Sequence, residues 1–407
     1  MNRLARRLGL RDAVVVGLGA MLGAGVFVVF APAAAAAGGL GLVVALFVAG
    51  AVAAGNAISS ARLAARYPDS GGAYVYGRER LGPFPGFLAG WAFVTGKTAS
   101  CAAMALAIGA YAWPAYARIV AVLAVVAVTA VNLRGIAKTA LATRWLVAVT
   151  LAVLALVLVA GVRDADLARV TGISSAGGVL TAAGLLFFAF AGYARIATLG
   201  EEVRDPARTI PRAIPVALGI VLVVYLALAV VCVAVLGPSL ASSTAPLADV
   251  AGGLAPVVRA GAVVAVFGVL LSLLAGVART ALAMGRHGDL PAALSRVDGS
   301  VPRVAELAVA VLVIALVLLG DLVAAIGASS FLVLVYYAVA NGSALTLPGR
   351  RGRAVGVLGL AGCLLLAFTL PGRSVLAGLA VLAVGAIAYA IRRRGVRSAR
   401  RPRASRG

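Results

Sequence analysis

"FFAFAGYARIATLGEE", residues 187–202, begins as apolar as a membrane interior and then places a glycine, a tyrosine and an arginine where a helix would continue. The stretch "GLGAMLGAGVF", residues 17–27, interrupts an earlier apolar run with four glycines. An interrupted helix leaves backbone N–H and C=O groups without intrahelical partners, and lipid cannot satisfy them. Both interruptions must therefore face protein, water or a solute, and their placement decides the fold.

The composition predicts a polytopic membrane protein. Of the 407 residues, 63% are hydrophobic and 12% are charged, whereas about a quarter of the residues of soluble domains are charged. The net charge of +23 is distributed between apolar runs and is not gathered on one soluble face beside aromatic residues, so no nucleic-acid partner is predicted. The three cysteines lie far apart inside apolar segments. This spacing indicates neither a disulfide framework nor a metal site, and we expect no cofactor.

Apolar runs of about 20 residues, the length that crosses a bilayer as a helix, occur twelve times along the chain. They predict an all-α polytopic membrane protein with twelve transmembrane helices. The predicted spans cover residues 12–36, 40–62, 84–113, 115–133, 140–162, 176–200, 213–236, 252–284, 304–320, 322–346, 354–370 and 374–391.

Most of the 36 lysine and arginine residues lie in segments on the side of the N-terminus. By the positive-inside rule that side is cytoplasmic, so we expect a multi-pass protein of the cell membrane with both termini in the cytoplasm. The predicted divisions are a cytoplasmic N-terminus at 1–11, a first repeat of five spans at 12–162, a second at 176–346, two further spans at 354–391, and a basic cytoplasmic tail at 392–407 held near anionic membrane lipids.

The two interruptions fall at the start of each group of five spans. Because five is odd, the two groups cross the membrane in opposite directions, as in inverted-repeat transporters whose broken helices mark the substrate site. Half-helix N-termini suit a carboxylate and freed carbonyls suit an ammonium group, so an amino acid matches such a break. A small-residue packing face stays open as an alternative for the first interruption, since Gly19 and Gly23 form a GxxxG pair.

Four segments carry a resemblance to a known family: "GAGVF" (residues 23–27), "YPDSGGAYVYGRERLGPFPGFLAGW" (67–91), "FFAFAGYARIATLGEEVRDPARTIPRAI" (187–214) and "ARTALAMGRHGDLP" (278–291). In order and spacing the chain resembles the amino acid-polyamine-organocation transporters over nearly its whole length. The resemblance implies a five-plus-five inverted repeat of the LeuT-like fold, with two extra C-terminal helices. It also implies alternating access, driven by a proton gradient or by exchange of one substrate for another.

The resemblance further implies which residues bind the substrate. They are Met21, Gly23, Ala24 and Gly25 in span 1, Ser100 and Cys101 in span 3, Phe188, Phe190, Ala191, Gly192 and Tyr193 in span 6, Ser272 in span 8 and Tyr336 in span 10. Phe188 and Tyr193 are the candidates for the aromatic that closes over the substrate. Two positions depart from the pattern: Ala194 stands where many relatives carry an acidic residue, and Thr150 where some carry a lysine held to serve proton coupling.

Lys97 and Arg195 are the charges that we place well within spans, and no Asp or Glu lies inside the core segment of any of them. A charge at that depth costs about 2.5 to 3.5 kcal/mol on insertion scales, so both residues are predicted gating or coupling groups, together with Glu201 and Glu202. Lysine can lose its proton when desolvated, whereas arginine stays charged. Two interpretations of Lys97 therefore stay open: it serves coupling or substrate sensing, or backbone carbonyls or water satisfy its hydrogen bonds. Three interpretations of Arg195 stay open: it snorkels or pairs with Glu202 as a structural strut, it binds freed carbonyls or acts in gating near Lys97, or it meets an anionic group of the substrate.

Two charged segments lie on the predicted cytoplasmic side, residues 67–83 and 201–214. Two interpretations stay open for each of them: a hinge or latch, or a solvated loop.

The sequence predicts that the protein is not an enzyme, because the spans lack an acid/base pair, a nucleophile with its base, or metal ligands. A secondary transporter of amino acids or related amines is therefore favoured, and a non-transporting solute sensor is the alternative. The lack of carboxylates in the core segments of the predicted spans disfavours a polyamine substrate.

Overall fold

The computed structural model describes residues 8–67, 71–135, 140–197, 203–298 and 301–399. Within these ranges the chain forms α-helices joined by turns, short 3-10 segments and two isolated β-bridges. The helices are α1 (Leu10–Met21), α2 (Ala24–Val28), α3 (Phe30–Ala37), α4 (Gly39–Arg66), α5 (Ala73–Arg80), α6 (Pro83–Ala112), α7 (Ala117–Leu133), α8 (Ala140–Arg163), α9 (Ala176–Phe190), α10 (Ala194–Ala197), α11 (Pro206–Leu236), α12 (Pro246–Val250), α13 (Ala255–Arg286), α14 (Arg303–Leu319), α15 (Leu322–Leu345), α16 (Arg350–Thr369) and α17 (Gly372–Ala399).

The predicted all-α polytopic membrane fold is confirmed. In the described ranges, 11 helical stretches are long and apolar enough to cross a membrane. The remaining predicted span corresponds to α14, whose 17 residues extend over about 26 Å at about 1.5 Å per residue. The division into two repeats of five spans stays a prediction.

Both predicted interruptions are present as breaks in the helices. In the first span α1 ends at Met21 and α2 begins at Ala24, so Leu22 and Gly23 form the first break. In the sixth span α9 ends at Phe190 and a 3-10 segment, Ala191–Tyr193, forms the second break before α10. Each break contains a glycine, Gly23 in the first and Gly192 in the second.

Helix α6 lies at the centre of the bundle, packed against α7, α13 and α15. Its sequence from Gly96 to Ala112 is dominated by Ala, Gly and Ser, which lets neighbouring backbones approach closely. A Cβ placed on Gly96 would lie 2.8 Å from Cβ of Leu332 in α15. A helix buried on all sides presents no polar face to solvent, so its polar residues contact other helices.

Two helices extend beyond the spans predicted from the sequence. Helix α11 begins at Pro206, seven residues before the predicted start of span 7, because proline at the first helical position loses no hydrogen bond. Pro211 lies inside α11. Helix α17 continues to Ala399, so part of the segment predicted as a tail is helical, and residues 400–407 lie outside the described ranges.

Candidate functional site

The first and second breaks pack directly against other parts of the broken spans. A Cβ added to Gly25 would lie 2.5 Å from Cα of Ala189, and one added to Gly192 would collide with the carbonyl of Ala20. Glycine is therefore required on both sides of the contact. The glycines of the first span serve both interpretations made from the sequence, since they interrupt the helix and also let the backbones touch.

Tyr225 of α11 joins the two broken spans through its hydroxyl group. The hydroxyl donates a hydrogen bond to the carbonyl oxygen of Met21 at 2.6 Å and lies 3.2 Å from that of Ala189. The side chain is fully buried, and its ring packs edge-on against Phe30 and Phe190. A phenol thus occupies carbonyls at the ends of α1 and α9 that are short of intrahelical donors.

Lys97 of α6 reaches the second break. Its ammonium nitrogen lies 3.4 Å from the carbonyl oxygen of Ala191, and the residue is 8% exposed. Within the described part of the chain no carboxylate lies within salt-bridge distance of this nitrogen. The contact fits the interpretation in which backbone carbonyls satisfy the lysine, and a coupling role stays a prediction.

Of the other predicted site residues, Ser100 and Cys101 lie on α6 and Tyr336 lies on α15, which packs against α6. The hydroxyl oxygens of Ser100 and Ser329 are 2.6 Å apart, and the neighbouring thiol of Cys101 is fully buried. The hydroxyl of Tyr336 accepts a hydrogen bond of 3.0 Å from the backbone N–H of Ala73. Tyr336 therefore connects α15 to the start of α5.

The aromatic candidates of the sixth span are both buried. The ring of Tyr193 stacks on that of Tyr337 in α15, with centroids 5.0 Å apart and planes inclined by 27°. Phe188 is 7% exposed and lies on α9 before the second break. In this conformation Tyr193 is packed into the bundle.

Other predicted residues lie away from this cluster. Ser272 is exposed on α13, and its hydroxyl lies 3.4 Å from the carbonyl oxygen of Gly268 one turn earlier. The apolar span that contains α9 ends at Tyr193, and the side chain of Arg195, two residues later, is exposed. Glu201 and Glu202 lie outside the described residues.

Sequence reasoning missed one buried carboxylate at the start of the predicted span 304–320. Glu306 is 2% exposed in the first turn of α14, and its Oε1 accepts a 2.6 Å hydrogen bond from Nδ2 of Asn132 in α7. The same nitrogen lies 3.3 Å from the carbonyl oxygen of Leu271 in α13. The first turn of a helix favours a carboxylate, which is why the acid is tolerated there. The sequence carries a signal for this site, because Glu306 is the third residue of the apolar run 304–320.

A second polar cluster that sequence reasoning missed joins α4, α15 and α16. Nδ2 of Asn341 donates to Oδ1 of Asn56 at 2.6 Å, and the thiol of Cys363 donates to the same oxygen at 3.1 Å. Both asparagines and the cysteine are 0% exposed. In the sequence, Asn56 and Asn341 each stand inside an apolar run. This signal could have identified both as members of a polar cluster, because a buried amide in a membrane span needs a hydrogen-bond partner.

Tyr74, Tyr76 and Gly77 of α5 are buried, so the solvated-loop interpretation is wrong for this helix within residues 67–83. The hydroxyl of Tyr74 in α5 donates to Oδ2 of Asp289 at 2.7 Å, and Arg78 donates to the same oxygen at 2.6 Å. Burial, and then the hydrogen bond to the Asp289 carboxylate, raise the pKa of the Tyr74 phenol above its ordinary value. The phenol therefore stays protonated and ties α5 to the segment after α13.

The sequence of this chain is similar to those of several known proteins. A family model described as amino acid permease matches residues 8–392. An uncharacterized transporter of Mycobacterium tuberculosis (strain ATCC 25618 / H37Rv) is 61% identical over 414 residues, covering 98% of this chain and 94% of that protein. The vacuolar cationic amino acid transporter 4 of Arabidopsis thaliana is 28% identical over 356 residues, covering 79% of this chain and 59% of that protein. The methylthioribose transporter of Bacillus subtilis (strain 168) is 25% identical over 326 residues, covering 73% of this chain and 71% of that protein.

Proposed function

Because this chain belongs to the amino acid permease family, we propose that it is a secondary active transporter that carries amino acids across the cell membrane by alternating access. The observation that carries the proposal is the contact between the two broken spans, with Tyr225 bonded to Met21 and close to Ala189. Broken helices that meet inside a bundle place backbone donors and acceptors where lipid does not reach. A zwitterion is the class of solute whose two charges match both kinds of group.

The proposed site comprises the backbone of the first and second breaks, with side chains from α6 and α9 around it. Gly23 lies in the first break, Gly25 and Gly192 let the two broken spans approach each other closely, and Phe188 and Tyr193 are the proposed closing aromatics. Lys97, one hydrogen bond from the second break, is the proposed group that senses the substrate or couples transport to protons. Ser100 and Cys101 follow it on the same helix.

The proposed substrate is a neutral amino acid. A buried ammonium group at Lys97 repels a second full positive charge, and the described residues place no carboxylate beside it. The Arabidopsis relative is named for cationic amino acids, so arginine and lysine belong in the test as competitors. Methylthioribose, which the Bacillus relative is named for, is a further competitor without a zwitterionic head.

The proposed orientation places both termini in the cytoplasm. The basic segments that support it include Arg62 and Arg66 at the end of α4 and Arg350 at the start of α16. Segments on the other side carry fewer basic residues, among them Arg118 and Arg259. Cysteine labelling with membrane-impermeant reagents at each end tests the orientation directly.

The function is tested by uptake of radiolabelled solutes into proteoliposomes that contain the purified protein. The panel includes neutral, acidic and cationic amino acids, a polyamine and methylthioribose, each with and without an imposed pH gradient and with internal counter-substrate. We expect net uptake or exchange of a neutral amino acid at a higher rate than of arginine. Binding without any flux would favour a solute sensor, and failure of every amino acid and amine would overturn the proposal.

A further inference from the structure

The polar cluster of α4, α15 and α16 lies beside the second break. It consists of Asn56, Asn341 and Cys363, and we call it the Asn56 cluster. All three side chains are fully buried, and α16, which supplies the cysteine, lies outside the two predicted repeats of five spans. A buried amide costs free energy unless its oxygen and its nitrogen both find partners. The direction of each amide therefore decides what the cluster offers to its neighbours.

A backbone carbonyl fixes the direction of both amides. The side chain of Asn341 contacts the carbonyl oxygen of Tyr337 at 3.0 Å, and a carbonyl oxygen only accepts, so the contacting atom of Asn341 is Nδ2. The same Nδ2 donates at 2.6 Å to Asn56, which must therefore present its Oδ1. That oxygen also accepts from the thiol of Cys363 at 3.1 Å. Because Oδ1 has two donors, Nδ2 of Asn56 is left for a partner outside the cluster.

The backbone of α16 holds the cluster tightly. A Cβ added to Gly359 would lie 2.5 Å from Oδ1 of Asn341 and 2.9 Å from its Nδ2. A Cβ added to Gly55 would lie 3.4 Å from Cα of Gly359, so α4 and α16 approach each other closely beside Asn56. Such packing leaves the amide of Asn341 little space to turn. Packing and hydrogen bonding thus set the same direction for the Asn56 amide.

Nδ2 of Asn56 is a buried donor on the side of Tyr193. Asn56 and Tyr337 flank the hydroxyl of Tyr193, with Asn56 in the position of a donor. Among the described residues, neither Nδ2 of Asn56 nor this hydroxyl has a partner at full hydrogen-bond geometry. The ring of Tyr193 is stacked on that of Tyr337, and stacked rings tolerate an offset. A small displacement of the phenol along Tyr337 therefore pairs two buried groups at once and removes the cost of leaving both unpaired.

We propose that Asn56 is a positioning residue that holds Tyr193 by a hydrogen bond from its Nδ2 to the phenol oxygen. Tyr193 is the last residue of the second break, so a fixed phenol also orders the backbone before it, including the Ala191 carbonyl that contacts Lys97. The Asn56 cluster thereby connects the break to α16, outside the two predicted repeats. The effect on substrate affinity rests on the function proposed above, whereas the position of Tyr193 does not.

Uptake kinetics of radiolabelled alanine and leucine in proteoliposomes test the effect on affinity. Asn56→Leu keeps the size of the side chain and removes Nδ2, while Asn341 keeps its bond to the carbonyl of Tyr337. We expect its KM to rise about fivefold, the value of one hydrogen bond, with a maximal rate near that of the wild type. Ser59→Ala is the matched control, because Ser59 is a buried polar residue of the same helix, and its KM should not change.

Tyr193→Phe separates positioning from a general structural role. It removes the hydroxyl, so it should raise KM to a similar extent, and the double variant with Asn56→Leu should raise KM no further. A role of Asn56 that does not pass through Tyr193 would instead make the two effects additive. Additive effects on KM, or a lower maximal rate with unchanged KM in Asn56→Leu, overturn the proposal.

A second readout reports on Tyr193 without transport. Tyr193 is replaced by a fluorinated tyrosine in the full-length protein, and its fluorine NMR spectrum is recorded in nanodiscs. We expect Asn56→Leu to shift or broaden the resonance and Ser59→Ala to leave it as in the wild type. An unchanged resonance in Asn56→Leu overturns the proposal. A shifted resonance together with no uptake of any amino acid by the wild type would contradict the proposed function and still support Asn56 as the residue that positions Tyr193.

Discussion

The ammonium nitrogen of Lys97 lies 3.4 Å from the carbonyl oxygen of Ala191, so an unbroken helix donates a hydrogen bond to the break in the sixth span. The lysine supplies a donor at the point where α9 gives way to a 3-10 segment. Rearrangement of that segment would change the surroundings of the ammonium group, and a change in its protonation would alter the contact. This link is the physical basis for the proposed coupling role.

Replacement of Lys97 by Met removes the charge and keeps a side chain of similar length. We expect uptake driven by a pH gradient to fall at least about tenfold, because one general proton-transfer group is worth about 10² or more in rate. Exchange without a gradient should persist, since it needs no net proton movement. Thr98→Val is the matched control, because Thr98 is also buried and its hydroxyl donates only to Val94 of its own helix. Wild-type gradient-driven uptake by Lys97→Met would show that the coupling role is wrong.

Gly25→Ala tests the contact between the two broken spans. The added Cβ would lie 2.5 Å from Cα of Ala189, so the backbones must separate, and we expect transport to be lost. Gly219→Ala is the matched control in α11, since a Cβ there meets nothing within 4 Å. That control should keep activity, and its helix gains up to about 1 kcal/mol in propensity. Proteoliposome uptake measures both, and equal activity would contradict the close approach of the breaks.

Tyr225→Phe removes the hydroxyl that bonds to Met21 and keeps the ring. A buried carbonyl left without its donor costs about 1 to 3 kcal/mol, so we expect a lower thermal midpoint and slower transport. Tyr116→Phe provides the comparison, because Tyr116 is 52% exposed and should tolerate the change. Thermal unfolding in detergent, followed by loss of the monodisperse peak, gives the result. An unchanged midpoint for Tyr225→Phe would mean that water or another donor replaces the phenol.

The spans and both breaks could be predicted from the sequence because each depends on a local feature. A run of apolar residues predicts a span, and clustered glycines or the "AGY" at 191–193 predict its interruption. The partners of the breaks could not be predicted, since they depend on how each helix is rotated about its own axis. Tyr225 lies in a long apolar run, and no sequence pattern shows that its hydroxyl faces Met21.

Glu306 illustrates a different limit of sequence interpretation. It lies close to the start of its apolar run, and packing of α7 and α13 against α14 buries it. Burial of a residue near a helix end is set by its neighbours, which a single apolar run does not reveal.

Glu306→Leu should destabilise the protein, because Nδ2 of Asn132 would keep only its 3.3 Å contact with the carbonyl of Leu271. The expected cost is about 1 to 3 kcal/mol for a buried donor that loses its acceptor. Glu306→Gln retains an oxygen for Asn132 and should cost less. Thermal midpoints of the two variants check the order, with Glu79→Gln as an exposed control. A larger loss for Gln than for Leu would mean that the hydrogen bond to Asn132 is not what stabilises the site.

Asp289→Asn tests whether the contact between α5 and the segment after α13 is a latch. The Asp289 side chain is 10% exposed and accepts from both Tyr74 and Arg78, so loss of its charge should cost about 1.5 to 3 kcal/mol. Asp298→Asn is the control, since the ion pair of Asp298 with Arg303 is more than half exposed on both sides and should contribute about 0 to 1 kcal/mol. If the contact opens and closes during transport, Asp289→Asn should also make cysteines introduced in α5 more reactive to impermeant reagents from the proposed cytoplasmic side. A lower thermal midpoint with unchanged labelling would instead identify a static structural contact.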